Sequence, residues 1–220
     1  MENILKRIDI ERKIYDFTFF DLVFIYIIGG TIGSIYETVF YYIIEGTITN
    51  HSGSVLFFVN GTYGLGIALL TLVLYHVKNW FMIFILGSVF TGFTEYMVSL
   101  FDEKILRIST WNYSHLPLNI NGRTTILISL GWGLLGLLII LFFIPKVLKY
   151  LHKIPKKPYN VLSIIFLTLI IIDVSVSFVA VYRYSGRHFN IYYQNKFFEI
   201  VDSVFNDKYM QERFPNLTFV

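Results

Sequence analysis

Cysteine is absent from the sequence. Disulfides and thiolate metal sites are therefore excluded. Charge is scarce as well: Asp, Glu, Lys and Arg make up 15% of the 220 residues, whereas 55% are hydrophobic. A soluble domain seldom combines so much apolar content with so little charge. There is no G-x-x-x-x-G-K followed by Ser or Thr, which excludes nucleotide binding through a P-loop, and no H-E-x-x-H metalloprotease motif. The five histidines are scattered, and none pairs with another at ligand spacing. No metal site and no cofactor is expected. His115, in "WNYSHLP", reads as an interfacial side chain rather than a base.

What the chain does have is long apolar runs. Windows of about 20 mostly apolar residues mark membrane-spanning helices. Five are read here, over roughly 17–44, 55–77, 80–100, 124–144 and 161–182. The fold class is therefore all-α, a polytopic membrane protein with a transmembrane domain over 17–182. Residues 1–16, "MENILKRIDIERKIYD", mix apolar and charged residues at near-helical spacing and predict an amphipathic segment on the cytoplasmic surface. Residues 183–220 form a polar and aromatic C-terminal tail, in which 196–206, "KFFEIVDSVFN", has the pattern of a short interfacial helix. The first span is too long for a cleavable signal peptide and carries Glu37, so it is expected to remain.

The pI near 8.9 does not point to nucleic acid, because the basic residues sit beside the spans. Ten of them lie before the first span, between the second and third, and in the loop "PKVLKYLHKIPKKPYN". The opposite loops hold three: Lys104, Arg107 and Arg123. By the positive-inside rule the N-terminus is cytoplasmic, and five spans put the tail outside. Arg183 and Arg187, next to the last span, weigh against that orientation.

The segment between the third and fourth spans, "FDEKILRISTWNYSHLPLNINGR", is too polar to cross lipid but contains Trp111, Tyr113, Leu116, Leu118 and Ile120. It is expected to fold back as a polar cap or re-entrant segment, with an ordinary interfacial loop as the alternative.

Residues four apart share a helix face. In the first span that face reads Gly29, Gly33, Glu37, Tyr41; in the third it reads Gly87, Thr91, Glu95, Ser99. In the last, Asp173 and Ser177 share a face. Small residues let helices approach closely, so these stripes are predicted packing faces and their carboxylates should point into the bundle. Asp21 lies too near the cytoplasmic end to belong with them. Apart from residues at span ends, Arg123 is the basic residue placed to meet such acids. Two readings remain open: a structural acid–arginine network, or ionisable groups marking a substrate or proton path.

With these residues assembled, the sequence resembles a known family, the putative ABC-transporter type IV (CmpB-type) bacterial membrane proteins. The resemblance rests on "GSIYE" at 33–37, "NGTYGLG" at 60–66, "TEYMVSLFDE" at 94–103, "TWNYS" at 110–114 and "NINGR" at 119–123, in that order. "GWGLLG" at 131–136 and "IIDVSVS" at 171–177 add to it. Two features depart from the family pattern. The prolines of its second-span motif are missing, and Asn112 stands where the family usually has Asp, keeping hydrogen bonding but losing the charge.

The resemblance implies a permease-like transport component of the bacterial cytoplasmic membrane, working with membrane lipids, a separate ATPase subunit and further copies of itself. The residue reading and the resemblance together give a substrate-binding set of Tyr36, Glu37, Tyr63, Glu95, Tyr96, Trp111, Asn112, Tyr113, Asn119, Arg123 and Asp173. The expected substrate is polar or cationic. The alternatives are a membrane-embedded enzyme acting on a lipid or lipid-linked substrate, with Glu37 or Glu95 as acid/base and Arg123 holding a phosphate, and a structural or regulatory membrane subunit.

Overall fold

The computed structural model describes residues 12, 14–46, 48–191 and 195–220. The amphipathic segment expected over 1–16 falls, at 1–11 and 13, outside the described residues.

Helix α1, Phe19–Glu45, starts at a capping box in which Thr18 and Asp21 satisfy each other's backbone N–H groups, and it ends at Gly46, whose φ of 72° suits only glycine well. Helix α2, Gly61–Leu74, is capped by Asn60. Helix α3, Trp80–Phe101, is capped by Asn79 and runs on through a π-helical turn, Asp102–Leu106. A small cap follows, with strands β1 (Ile108–Ser109), β2 (Asn119–Ile120) and β3 (Thr124–Thr125). Helix α4, Ile126–Leu138, continues through a π-helical turn, Ile139–Phe143, into α5, Ile144–Leu151. Helix α6, Lys156–His188, follows Pro155. The tail forms α7 (Lys196–Val204), α8 (Asp207–Arg213) and strand β4 (Thr218–Phe219).

Among the described residues, four stretches are long and apolar enough to cross a membrane: Phe19–Ile44, Trp80–Leu106, Ile126–Leu151 and Lys156–His188. The second expected span is different. Helix α2 has 14 residues, which at 1.5 Å each is about 21 Å, short of the roughly 30 Å of bilayer hydrocarbon. The missing length is the non-helical stretch 51–60, which bends into the bundle with His51, Ser52, Ser54, Val55 and Asn60 buried. Such backbone is tolerated at depth only where protein satisfies its polar groups. Here the N–H of Asn60 donates to the Gly30 carbonyl at 3.0 Å, that of Val55 to Ser177 Oγ at 3.0 Å, and that of Leu56 to Asp173 Oδ1 at 3.1 Å. The chain is thus an all-α, multi-pass membrane protein with four long helices and one half-length helix among the described residues. The re-entrant backbone lies before α2, while the polar segment after α3 is a cap.

Small residues set the helix contacts, as the face pattern predicts. Tyr63 lies over Gly33, Ile67 over Gly29, and Tyr26 over Gly64 where α1 meets α2; Ser129 lies over Gly92, and Ser88 over Gly133, where α3 meets α4. The start of α1, the end of α2, the end of α5 and the start of α6 share one end of the bundle. There Arg12 donates to the carbonyls of Leu74 and Val77, and Tyr159 donates to Asp21 at 2.8 Å. The cap and the tail share the other end, where β1 pairs with β4.

The tail is fastened to α6 by charge. Arg183, 2% exposed, is bidentate to Asp202 at 3.0 and 2.5 Å, and Arg187 bridges Asp202 at 2.5 Å and Asp207 at 2.7 Å. Val201, Phe205 and Met210 pack beneath these pairs on Val181 and Tyr184. The two arginines that weigh against the orientation are therefore matched by acids of their own tail.

Two predictions follow from this packing. A Cβ on Gly133 would fall 2.7 Å from the Phe84 carbonyl oxygen, besides striking Ser88, whereas one on Gly131 meets nothing within 4 Å. Gly133→Ala should cost about 1–3 kcal/mol, and Gly131→Ala should be neutral or slightly stabilising; thermal unfolding of the purified variants measures both. For the tail, partial burial works to raise the Asp202 carboxyl, but Arg183 and Arg187 outweigh it and hold Asp202 below the usual aspartate range. A depressed folded-state value means that the contribution is complete at neutral pH and is lost as pH falls below the ordinary aspartate value of about 3.9. Amide exchange across 196–213 should accelerate in that acid window. In Asp202→Asn it should be fast already at pH 7, with the acid step gone.

Candidate functional site

Glu37 is half-buried on the α1 face that carries Gly29 and Gly33. Close approach at Gly33 brings Tyr63 alongside, and the buried start of α2 brings Asn60. Asn60 Nδ2 donates to Glu37 Oε2 at 3.2 Å, while its Oδ1 caps the N–H groups of Thr62 and Tyr63. The Tyr63 hydroxyl lies close to the same carboxyl.

Glu95 is half-buried on α3. The cap delivers its partners: Tyr113 donates to Oε1 at 3.0 Å and Thr124 to Oε2 at 2.7 Å. The Trp132 indole, from α4, lies close to this carboxyl. Trp132 meets Tyr63 edge-on, with ring centroids 5.7 Å apart, so the two acids are joined through aromatic neighbours. Tyr113 lies within the electrostatic reach of both. Burial, and after it the Glu95 carboxyl, push its phenol above the ordinary tyrosine value, so it remains a neutral donor. Neither Glu37 nor Glu95 has a salt-bridge partner among the described residues.

Arg123 does not join them. It pairs with Glu103 at the end of α3 and lies over the Tyr96 ring, 5.6 Å from its centroid. The reason is the hairpin. Asn121 and Gly122 both have positive φ, and Arg123 N–H closes the turn on the Ile120 carbonyl. Side chains then alternate, so Thr124 is turned to Glu95 and its neighbour Arg123 to the other side.

The remaining predicted residues divide by role. Trp111, half-buried, donates to the Arg123 carbonyl at 2.9 Å; Asn119 donates to the Leu116 carbonyl at 2.8 Å and accepts from Gly122 N–H at 3.0 Å. Asn112 is exposed and accepts from Ser114 N–H at 2.8 Å. These three hold the cap's shape, and Tyr96 joins them by accepting from Asn121 Nδ2 at 3.1 Å. Asp173, 5% exposed, accepts from Ser54 Oγ at 2.8 and 2.7 Å and so pins the re-entrant stretch. Tyr36 is 54% exposed and flanks Tyr63. Sequence reasoning did not place Asn60, Thr124 or Trp132 in the set. Asn60 had a readable signal, an Asn before an apolar run in the manner of an N-cap. Trp132, inside "GWGLLG", had none beyond its type.

Beside the acids lies a groove of about 360 Å³ between α1, α2 and α4. Tyr36, Tyr63 and Trp132 line it together with Gly29, Ile67 and Leu135. No group of three metal-ligating side chains occurs among the described residues.

No curated protein and no solved structure matches the chain. The model of one protein family does, over residues 24–178, a stretch that contains both carboxylates, the re-entrant segment, the cap and Asp173. That match spans well over half of the sequence, and the chain belongs to the family described as putative ABC-transporter type IV.

Proposed function

We propose that this chain is a permease-like component of the bacterial cytoplasmic membrane and that it recognises a cationic substrate at Glu37 and Glu95. One observation carries the reading: two half-buried carboxylates, from different helices, with only neutral hydrogen-bond partners. A carboxylate withdrawn from water without a cation is costly, and either a proton or a bound cation relieves the cost. The aromatic rings between the two acids favour a cation further, since ring faces attract positive charge. The orientation expected from the basic loops puts the cap and this site toward the outer face. Transport would draw its energy from a separate ATPase subunit, because the sequence has no P-loop. Four long helices and one half-length helix are few for a whole permease, which favours a homo-oligomer.

The enzymatic alternative needs a cation to hold a phosphate beside the acids. Arg123, the residue expected in that role, is engaged with Glu103 instead. That arrangement favours a positively charged substrate over a phosphate-bearing one.

The test is equilibrium dialysis of tritiated tetraphenylphosphonium against the protein in lipid nanodiscs, corrected for empty nanodiscs. Glu37→Gln and Glu95→Gln keep the side chain's size and one acceptor oxygen, and the hydroxyls of Tyr113 and Thr124 can turn to accept from the new amide, so both variants should fold. Each should weaken binding tenfold or more. Unchanged affinity in a folded Glu37→Gln/Glu95→Gln protein would refute the reading.

A further inference from the structure

We infer that the ligand is an amphiphilic organic cation, whose charged head sits at Glu37 and Glu95 and whose apolar part fills the groove between α1, α2 and α4; this rests on the cation reading above. Two observations coincide in the groove. Its volume, about 360 Å³, lies within the range of roughly 300–1,000 Å³ typical of small-molecule sites. Its lining is aromatic and aliphatic. Tyr63 and Trp132, which lie close to Glu37 and Glu95, meet edge-on in its wall. The rest of the wall includes Gly29, Ile67, Leu135 and Ile139, with no charged side chain.

A small hydrophilic cation would leave that apolar wall unused. An ammonium or phosphonium with an alkyl or aryl substituent satisfies the acids and the wall at once. Charge complementarity selects this occupant over a bilayer acyl chain, which brings nothing positive to the two carboxylates. The groove also offers a way in. Ile32 and Leu135, on its edges, are 46% and 42% exposed on the outer surface of the helices. In a membrane-spanning bundle that surface faces lipid, so an amphiphile dissolved in the bilayer reaches the groove sideways. Gly29 and Gly33 keep the α1 wall low, because any side chain there would collide with Ile67 or Tyr63.

The experiment is displacement of tritiated tetraphenylphosphonium in nanodiscs by tetramethyl-, butyltrimethyl- and hexyltrimethylammonium. Competitor concentrations are corrected for partition into empty nanodiscs. The expected result is rising potency with chain length, with hexyltrimethylammonium at least tenfold stronger than tetramethylammonium. Leu135→Trp, which fills the groove and leaves both acids in place, should compress that difference to less than threefold while tetramethylammonium still competes. Equal potency across the series, all of it lost in Glu37→Gln, would overturn the amphiphile inference and leave the cation reading standing. Displacement by uncharged hexanol matching that by hexyltrimethylammonium, with Glu37→Gln/Glu95→Gln indifferent to both, would overturn both and indicate a lipid-chain groove. Failure of every member of the series to displace the probe would overturn the inference as well.

Discussion

The arrangement depends on the Asp173 carboxylate inside α6. Its two oxygens accept from the Ser54 hydroxyl, and Oδ1 also accepts from the Leu56 N–H. A stretch of backbone that enters a membrane bundle without helical hydrogen bonds needs such acceptors, because lipid supplies none. With Ser54 and Leu56 fixed, the chain reaches Gly30 on α1, where the absence of a side chain lets Asn60 approach and hydrogen-bond. Helix α2 can then begin deep in the bundle, with Asn60 both capping it and donating to Glu37. An acid that reads as part of a substrate path is therefore, in its own contacts, the support that places the acid at the site.

The charges are sorted in a way that separates structure from site. Among the described residues, arginines take acids near the end of the bundle that holds the cap and the tail: Arg183 and Arg187 with Asp202, and Arg123 with Glu103. Glu37 and Glu95 are given asparagine, tyrosine and threonine instead. Neutral donors reduce the desolvation cost of a carboxylate without neutralising it. A bundle built only for stability gains by pairing or removing such groups, since a buried ion without a partner is among the most costly features a fold can carry. Arg123, the arginine expected to meet Glu37 and Glu95, is instead engaged by Glu103.

Much of this was legible in the sequence. The spacing of Gly29, Gly33 and Glu37, and of Gly87, Thr91 and Glu95, correctly placed both acids on packing faces, because helical periodicity and small residues act locally. The run 55–77 misled, since its apolar composition hides where hydrogen bonding stops. Ser52, Gly53, Ser54 and Asn60 carried that information, but only contacts with Asp173 and Gly30, far along the chain, turn those residues into a re-entrant segment. The partner of Arg123 was not legible for a similar reason. The choice between Glu95 and Glu103 is decided by which neighbour in a tight hairpin faces α3, and a shift of one residue reverses it.

The tail extends the same logic to the end of the bundle that it shares with the cap. Tyr209 donates to the Val55 carbonyl at 2.7 Å, and Arg213 reaches the carbonyls of Ser54 and Phe57. These are the acceptors left over once the re-entrant stretch has spent its donors on α6. Burial draws the Arg213 guanidinium below its ordinary value, while Tyr209 and Asp173 work to restore it. The stretch 54–57 is thus held through its hydroxyl and N–H groups by a membrane helix and through its C=O groups by the tail. Helix α2, Asn60 and Glu37 follow from it in the chain and in space, so the geometry at the acid pair depends on residues more than 150 positions apart in the sequence.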